Sequence, residues 1–309
     1  MTGYLTVIKA GPLTTLQDAG RFGVRHLGIT QGGPVDLQAW GWANWLLANA
    51  WGSPALEVTL GGLTVIAEQT CYLALCGADM QARLDGEPLA NNRAFQMQVG
   101  QELVLGMARQ GLRSYLAIAG GFKAPPILNS VATVRREQLG GHHGDGSPLA
   151  PLQRLAFTKN AQSLPIRELP KAALPDYRRP PVLELIPGAQ FRFFDNQSLL
   201  HVINQPWRVD PNSDRMGVRL QGPILHCSIE NLISEGLTLG AVQVPPNGQP
   251  IILLNDRQTI GGYPRLGSLT PLACARLAQC PPGQQLRISL CTASQAQTQY
   301  RTFRAALDK

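Results

Sequence analysis

The apolar segments of this chain are short, and glycine or proline interrupts most of them. ALEVTL, LTVIA, CYLALCG, ELVLG and RSYLAIAGG follow one another between residues 55 and 121, with Gly61-Gly62 and Asp85-Gly86 as hairpin punctuation. Runs of this length, bounded by turn formers, favour many short strands over long helices. A second series, VLELIPG, MGVRLQGPIL, GAVQVPP, PIILLND and QQLRISLC, begins at Val182. With 32 glycines and 24 prolines spread over 309 residues, the chain reads as mostly β with a few helices. The number and brevity of the strands predict closed or sandwiched antiparallel sheets.

Between the two series Pro165, Pro170, Pro175, Pro180 and Pro181 gather among charged residues, which predicts a linker or strap. The expected division is residues 1–180 and 181–309. Two helices are predicted. In the first, Leu37, Trp40, Asn44, Leu47 and Trp51 recur at helical spacing behind Asp36; in the second, Tyr300, Phe303 and Leu307 do so within Ala293–Leu307. Ahead of the first helix runs a glycine-rich segment, GPLTTLQDAGRFGVRHLGITQGGPVD, carrying Asp18, Arg21, Arg25, His26, Thr30, Gln31 and Asp36. Irregular segments of that length inside a domain usually serve function. Asp36 is read either as a helix cap or as a site residue.

The apolar fraction of 44% and charged fraction of 15% are globular values. The formal charge of +7 comes from 22 arginines and 5 lysines. Only Arg135-Arg136 and Arg178-Arg179 are adjacent, and no basic stripe with interleaved aromatics occurs, so nucleic acid is not the expected partner. Arginine's planar fork instead suits small carboxylates, phosphates or partner proteins. The first twenty residues do not read as a secretory signal, and no apolar run reaches the length of a membrane span. Six cysteines without a C-x-x-C pair predict reduced thiols in a cytoplasmic protein. No P-loop, Rossmann glycine fingerprint or G-x-S-x-G elbow is present, and no Met-Lys-Met segment offers a biotin acceptor. His142-His143-Gly144-Asp145 lacks the spacing of a metal site and reads as an exposed loop.

One stretch does not behave like an ordinary strand end. The apolar run Pro250–Leu254 passes directly into NDRQTIGGYPR, residues Asn255 to Arg265. Continued as a strand, it would put Asp256 and Gln258 on one face and Arg257 and Thr259 on the other. Gly261 and Gly262 would offer unusual backbone conformations and approachable amides, with Tyr263 and Pro264 closing the turn. Upstream, Gln243, Asn247 and Gln249 flank Pro245-Pro246, while Ser213, Asp214 and Arg215 precede another strand. The expectation is that these segments converge on one pocket with Arg215 and Arg265 pointing inward. The competing reading is that the polar groups stitch β-turns.

Several of these segments resemble one family. TTLQDAGRFGVRHLGITQGGPVD with ANWLLANAWGSPALEVTLGGLTV, then RSYLAIAGGF, NSDRMGVRLQG and EGLTLGAVQVPPNGQPIILLNDRQTIGGYPRLG, occur in the family's order over nearly the whole chain. They are similar to the kinase-inhibitor-antagonist family, also called allophanate hydrolase subunit 2 or biotin-dependent carboxyltransferase. That family includes the C subunits of ATP-dependent 5-oxoprolinases and part of urea amidolyase. Two departures stand out. Gly33-Pro34-Val35-Asp36 replaces the usual Gly-Ala-Met-Asp, and Asp145 stands where many relatives carry arginine.

The resemblance implies two cyclophilin-like β-barrel domains. It also implies cleavage of 5-oxo-L-proline to L-glutamate coupled to ATP, with the 5-oxoprolinase B-type (kinase-inhibitor family) and A-type subunits as partners. ATP would be held here or on a partner, and no biotin would be attached to this chain. On that reading Arg215 and Arg265 take a carboxylate or phosphate and Asp256 orients water. Gly261 and Gly262 donate backbone amides, and Asp36, Gln243, Asn247, Gln249, Gln258, Thr259 and Tyr263 line the substrate site. Two other functions remain open: carboxyl transfer from carboxybiotin to a urea-like amide, and non-catalytic binding of a kinase-inhibitor protein.

Overall fold

The structure, a computed structural model, describes residues 2–159, 164–170, 173, 175–229 and 232–308. The chain forms two compact units. The first comprises residues 1–22 and 32–178, and the second residues 23–31 and 179–309. The excursion of Gly23–Gln31 into the second unit breaks the simple division at residue 180. Nothing in the local composition of that segment marks it. Part of the proline-rich strap expected at 160–181 lies outside the described residues. Its described part docks on the first unit, where Leu164 and Leu169 pack beside Trp40 and Tyr115.

In the first unit the short strands sort into two sheets. One has six strands in the order Arg154–Thr158, Thr2–Ala10, Leu63–Ala67, Glu102–Val104, Arg83–Leu84 and Glu87–Pro88. The other has five, in the order Leu13–Gln17, Ala55–Thr59, Gln110–Ile118, Cys71–Asp79 and Arg93–Met97. Leu5, Val7, Leu56, Val58, Leu63, Leu73 and Leu103 are fully buried within one apolar cluster. Helix α1 (Leu37–Leu46) buries Trp40 and Ala43 against a second cluster with Ala74, Cys76 and Tyr115.

Polar groups fix the start of α1. Asp36 Oδ1 accepts from Ala39 N at 2.9 Å, the N-cap expected of an aspartate there. The Asp36 N–H donates to Tyr115 Oη at 2.8 Å, and that hydroxyl donates to buried Glu57 at 2.6 Å. Asp36 thus has a structural duty in the first unit.

The second unit is a closed barrel of seven strands. Their order is Val182–Pro187, Arg265–Leu269, Ala241–Gln243, Ile251–Leu253, Gly217–Gln221, Trp207–Val209 and Gln285–Leu290. A parallel pairing closes the ring, with Val182 opposite Arg287 and Leu185 opposite Leu290. Alternate residues face inward, so Leu183, Leu185, Leu286 and Ile288 are buried while their neighbours are not. Helices α2 (Asn196–Asn204), α3 (Pro271–Leu277) and α4 (Ala293–Leu307) complete the unit. Helix α4 opens with a capping box between Thr292 and Gln295 and spans the residues its periodicity predicts. A two-stranded ribbon pairs Glu235–Gly236 with Ile260–Gly261. Among the described residues no helix is long and apolar enough to cross a membrane.

Two predictions test this packing. Gly61 has a φ of +105°, and a Cβ there would lie 1.9 Å from the Gly106 carbonyl oxygen. Gly61→Ala is expected to cost about 2 kcal/mol or more in urea unfolding. A cost below about 0.5 kcal/mol would mean the strands part freely. None of the six cysteines forms a disulfide; four are buried, and Cys227 and Cys291 are partly exposed. Burial pushes the Cys71 and Cys274 thiols up to about 12, so little thiolate forms at neutral pH. A colourimetric thiol reagent should therefore titrate two groups quickly in the native protein and the remaining four after denaturation.

Candidate functional site

The strand register decides which of the expected residues meet. Gly217 lies opposite Leu253 and Arg219 opposite Ile251; Gln243 lies opposite Ile251 on one side and Arg265 on the other. Arg215, just before Gly217, and Asp256, just after Leu253, therefore share one end of the barrel. Gln243 and Arg265 stand at the other end. The segments DRMG and QVPPNGQP thus do not converge on a single pocket. Antiparallel pairing sends the start of one strand and the end of its second neighbour to opposite rims.

At the first end, Arg215 Nε donates to Asp256 Oδ2 and Nη2 to Oδ1, both at 2.9 Å. This two-pronged geometry is the strong form of an arginine–carboxylate pair. Both side chains are buried, at 7% and 8% exposure. The backbone supports the contact, since Asp256 N donates to Arg215 O at 2.9 Å. The expected alternation past Leu253 does not occur. The strand ends there, and a turn through Asn255 and Asp256 is closed by Arg257 N on Leu254 O. The turn buries Asp256 and Arg257 together rather than on opposite faces.

At the other end Arg265 is held by neighbours from two segments. Its guanidinium pairs with Glu235 and donates to Gly236 O at 3.0 Å. Its backbone N–H donates to Gln190 Oε1 at 2.9 Å, and Gln190 Nε2 reaches Glu235 at 3.1 Å. Arg265 also lines a cleft of about 270 Å³ with Gln190, Thr238, Gly267 and Ser268. Asn247 and Gln249 line a different, polar cleft of about 520 Å³ with Asp210, Arg219 and Gln221. There Gln249 exchanges two hydrogen bonds with the Gly222 backbone, which is turn stitching.

Gln258 and Thr259 are half-buried and Tyr263 is exposed on the return path between the two ends. Gly261 and Gly262 do not adopt left-handed torsions. Their lack of a side chain serves close packing instead. A Cβ on Gly261 would lie 2.9 Å from Leu237 Cδ1 and 3.0 Å from Gln243 Nε2, and one on Gly262 would lie 2.9 Å from Leu232 O.

Two residues that the sequence reading did not assign to the site hold its middle. Arg257 Nε donates to Leu237 O at 3.4 Å and Nη1 to Leu254 O at 3.1 Å. Arg25, brought by the Gly23–Gln31 excursion, donates through Nη2 to the same Leu237 carbonyl and to Thr259 O. Burial and then the charge of Arg25 hold the Arg257 guanidinium down to about 10, still cationic at neutral pH. Arg257 sits inside the stretch already singled out, so its burial was the missing signal. Arg25 lies over two hundred residues away in sequence and could not be paired with it.

A family model described as a carboxyltransferase domain, subdomains A and B, matches residues 27–290. The chain is 40% identical to the 5-oxoprolinase C subunit of Escherichia coli, covering 97% of this chain and 96% of that protein. It is 33% identical to the C subunit of the same enzyme from Haemophilus influenzae, covering 99% and 97%. The crystal structure of Kluyveromyces lactis urea amidolyase superposes with a TM-score of 0.91 at 25% identity, over 99% of this chain and 20% of that one. The chain belongs to the carboxyltransferase-domain family that these 5-oxoprolinase C subunits and urea amidolyases share.

The Arg215–Asp256 pair yields a direct prediction. In a double-mutant cycle with Arg215→Met and Asp256→Leu, followed by urea unfolding, the coupling energy should exceed about 1 kcal/mol. Additive effects within about 0.3 kcal/mol would show that the two side chains do not sense each other.

Proposed function

We propose that this chain is the C-type subunit of an ATP-dependent 5-oxoprolinase, acting with separate A-type and B-type subunits in the cytoplasm. The observation that carries the reading is 40% identity to a protein named as that subunit, with both chains covered almost end to end. Near-complete coverage distinguishes this match from the urea amidolyases, of which the chain spans about a sixth in the yeast proteins.

The substrate's five-membered lactam is a poor electrophile, because amide resonance opposes attack by water. Phosphorylation of the amide oxygen, with ATP releasing ADP, makes the ring carbon electrophilic. Water then adds to that carbon, the C–N bond breaks, and a second water releases phosphate from the resulting acyl phosphate to give glutamate. Such a sequence needs a carboxylate to orient water and take its proton, and cationic or amide donors for the developing negative charge.

Asp256 is our choice for the water-orienting carboxylate, since it is buried at the barrel rim and its oxygens are fixed by Arg215. Arg215 is then a positioning residue rather than an anion receptor. Arg265 likewise positions the Glu235–Gly236 ribbon to which it is tied. A second reading, carboxyl transfer from carboxybiotin on another subunit, is favoured by the family model. Non-catalytic capture of a kinase-inhibitor protein predicts tight binding without turnover.

The test is reconstitution with A-type and B-type partners, assayed for glutamate release from 5-oxoproline and ATP. Turnover insensitive to avidin is expected; avidin inhibition, or carboxylation of a urea-like amide, would replace this reading with the second one. Asp256→Asn, which keeps the size of the side chain, should lower turnover by about 10²-fold or more. Unchanged turnover would remove Asp256 from the role.

A further inference from the structure

The pair Arg25 and Arg257 has a feature that ordinary structural arginines lack. Among the described residues neither forms an ion pair with a carboxylate, although eight other arginines do. Both guanidiniums instead share a single carbonyl, that of Leu237. Arg257 is 3% exposed. Arg25 is half-buried beside it, and two like charges brought together with only backbone carbonyls as acceptors are unfavourable unless a negative charge joins them.

Two further donors in the same region are unsatisfied. Arg25 Nη1 is shielded from solvent and has no hydrogen-bond partner among the described residues. Gln243 is 2% exposed, and its Nε2 is likewise shielded and without a partner. That amide lies against Gly261, where a Cβ would come within 3.0 Å of it. Gly261 in turn pairs with Glu235 in the ribbon that leads directly to Leu237. Buried donors of this kind nearly always find an acceptor in a complete structure. These two belong to a cation-rich region built from three parts of the sequence.

From these observations we infer that Arg25, Arg257 and Gln243 form a binding site for a small oxyanion, a carboxylate or a phosphate, beside Leu237 and Gly261. Arg25 supplies Nη1, Gln243 supplies Nε2, and Arg257 supplies compensating charge. Gly261 leaves room for the Gln243 amide. The inference rests on the proposed function only for the anion's identity. A substrate carboxylate and a transferred phosphate share the required chemistry, and both occur in that reaction.

The experiment is calorimetric titration of the full chain, at constant ionic strength, with inorganic phosphate, with 5-oxoproline and with acetate as separate probes. At least one probe should bind the wild-type protein. Arg25→Gln and Gln243→Leu should each weaken that binding tenfold or more, and Arg25→Lys should restore part of it. Arg83→Gln, at an exposed arginine that donates to Gly86 O, removes the same charge elsewhere and should leave binding unchanged.

Phosphate binding without 5-oxoproline binding assigns the site to the phosphoryl group, and the converse assigns it to the substrate carboxylate. Failure of all three probes to bind the wild-type protein overturns the inference. So does equal binding by folded Arg25→Gln and Gln243→Leu variants, with folding verified by circular dichroism. Binding that survives in a chain giving no glutamate release on reconstitution would sink the proposed function while leaving the anion site in place.

Discussion

The barrel of the second unit depends on one seam, the parallel pairing of Val182–Leu185 with Arg287–Leu290. These strands lie about a hundred residues apart, and joining them removes the free edges that an open seven-stranded sheet would expose. Closure also fixes the tilt and register of every strand between them. The two rims of the barrel, and therefore the neighbours of each loop, follow from it. Arg215 and Asp256 meet because both lie just beyond the same rim. Arg265 stands at the other and takes different partners.

Within that frame the return path from Leu254 to Arg265 carries the chemistry. It begins in a turn that buries an acid and a cation side by side, passes through a ribbon strand, and ends on an arginine tied to Glu235. The carbonyls of Gly236 and Leu237 run alongside it, and Arg265, Arg257 and Arg25 each donate to one of them. Charge in this region is thus distributed unevenly. Arg215 and Arg265 are paired with carboxylates of the same unit, whereas Arg25 and Arg257 donate to backbone carbonyls. Buried positive charge without a counterion is costly for a fold and useful for a binding site.

The sequence was a good guide where local rules dominate. The apolar runs became strands, Asp36 became an N-cap, and the spacing of Tyr300, Phe303 and Leu307 marked α4. It also drew attention to Asn255–Arg265. Its reading of that stretch failed in two ways. The strand period was carried past Leu253, where a turn had already replaced it, so Asp256 and Arg257 were placed on opposite faces. Gly261 and Gly262 were read for their torsional freedom, whereas close contact with Leu237, Gln243 and Leu232 is what excludes a side chain.

The amino-acid sequence by itself determined that this chain would be mostly β, which segments would form strands and caps, and which polar stretch to watch. Those outcomes depend on propensity and periodicity over a few residues. Tertiary structure alone decided that Arg215 would face Asp256 rather than a ligand, and that Gly23–Gln31 would bring Arg25 to Arg257. Both contacts join residues separated by tens to hundreds of positions, and only barrel closure and strand register set such distances.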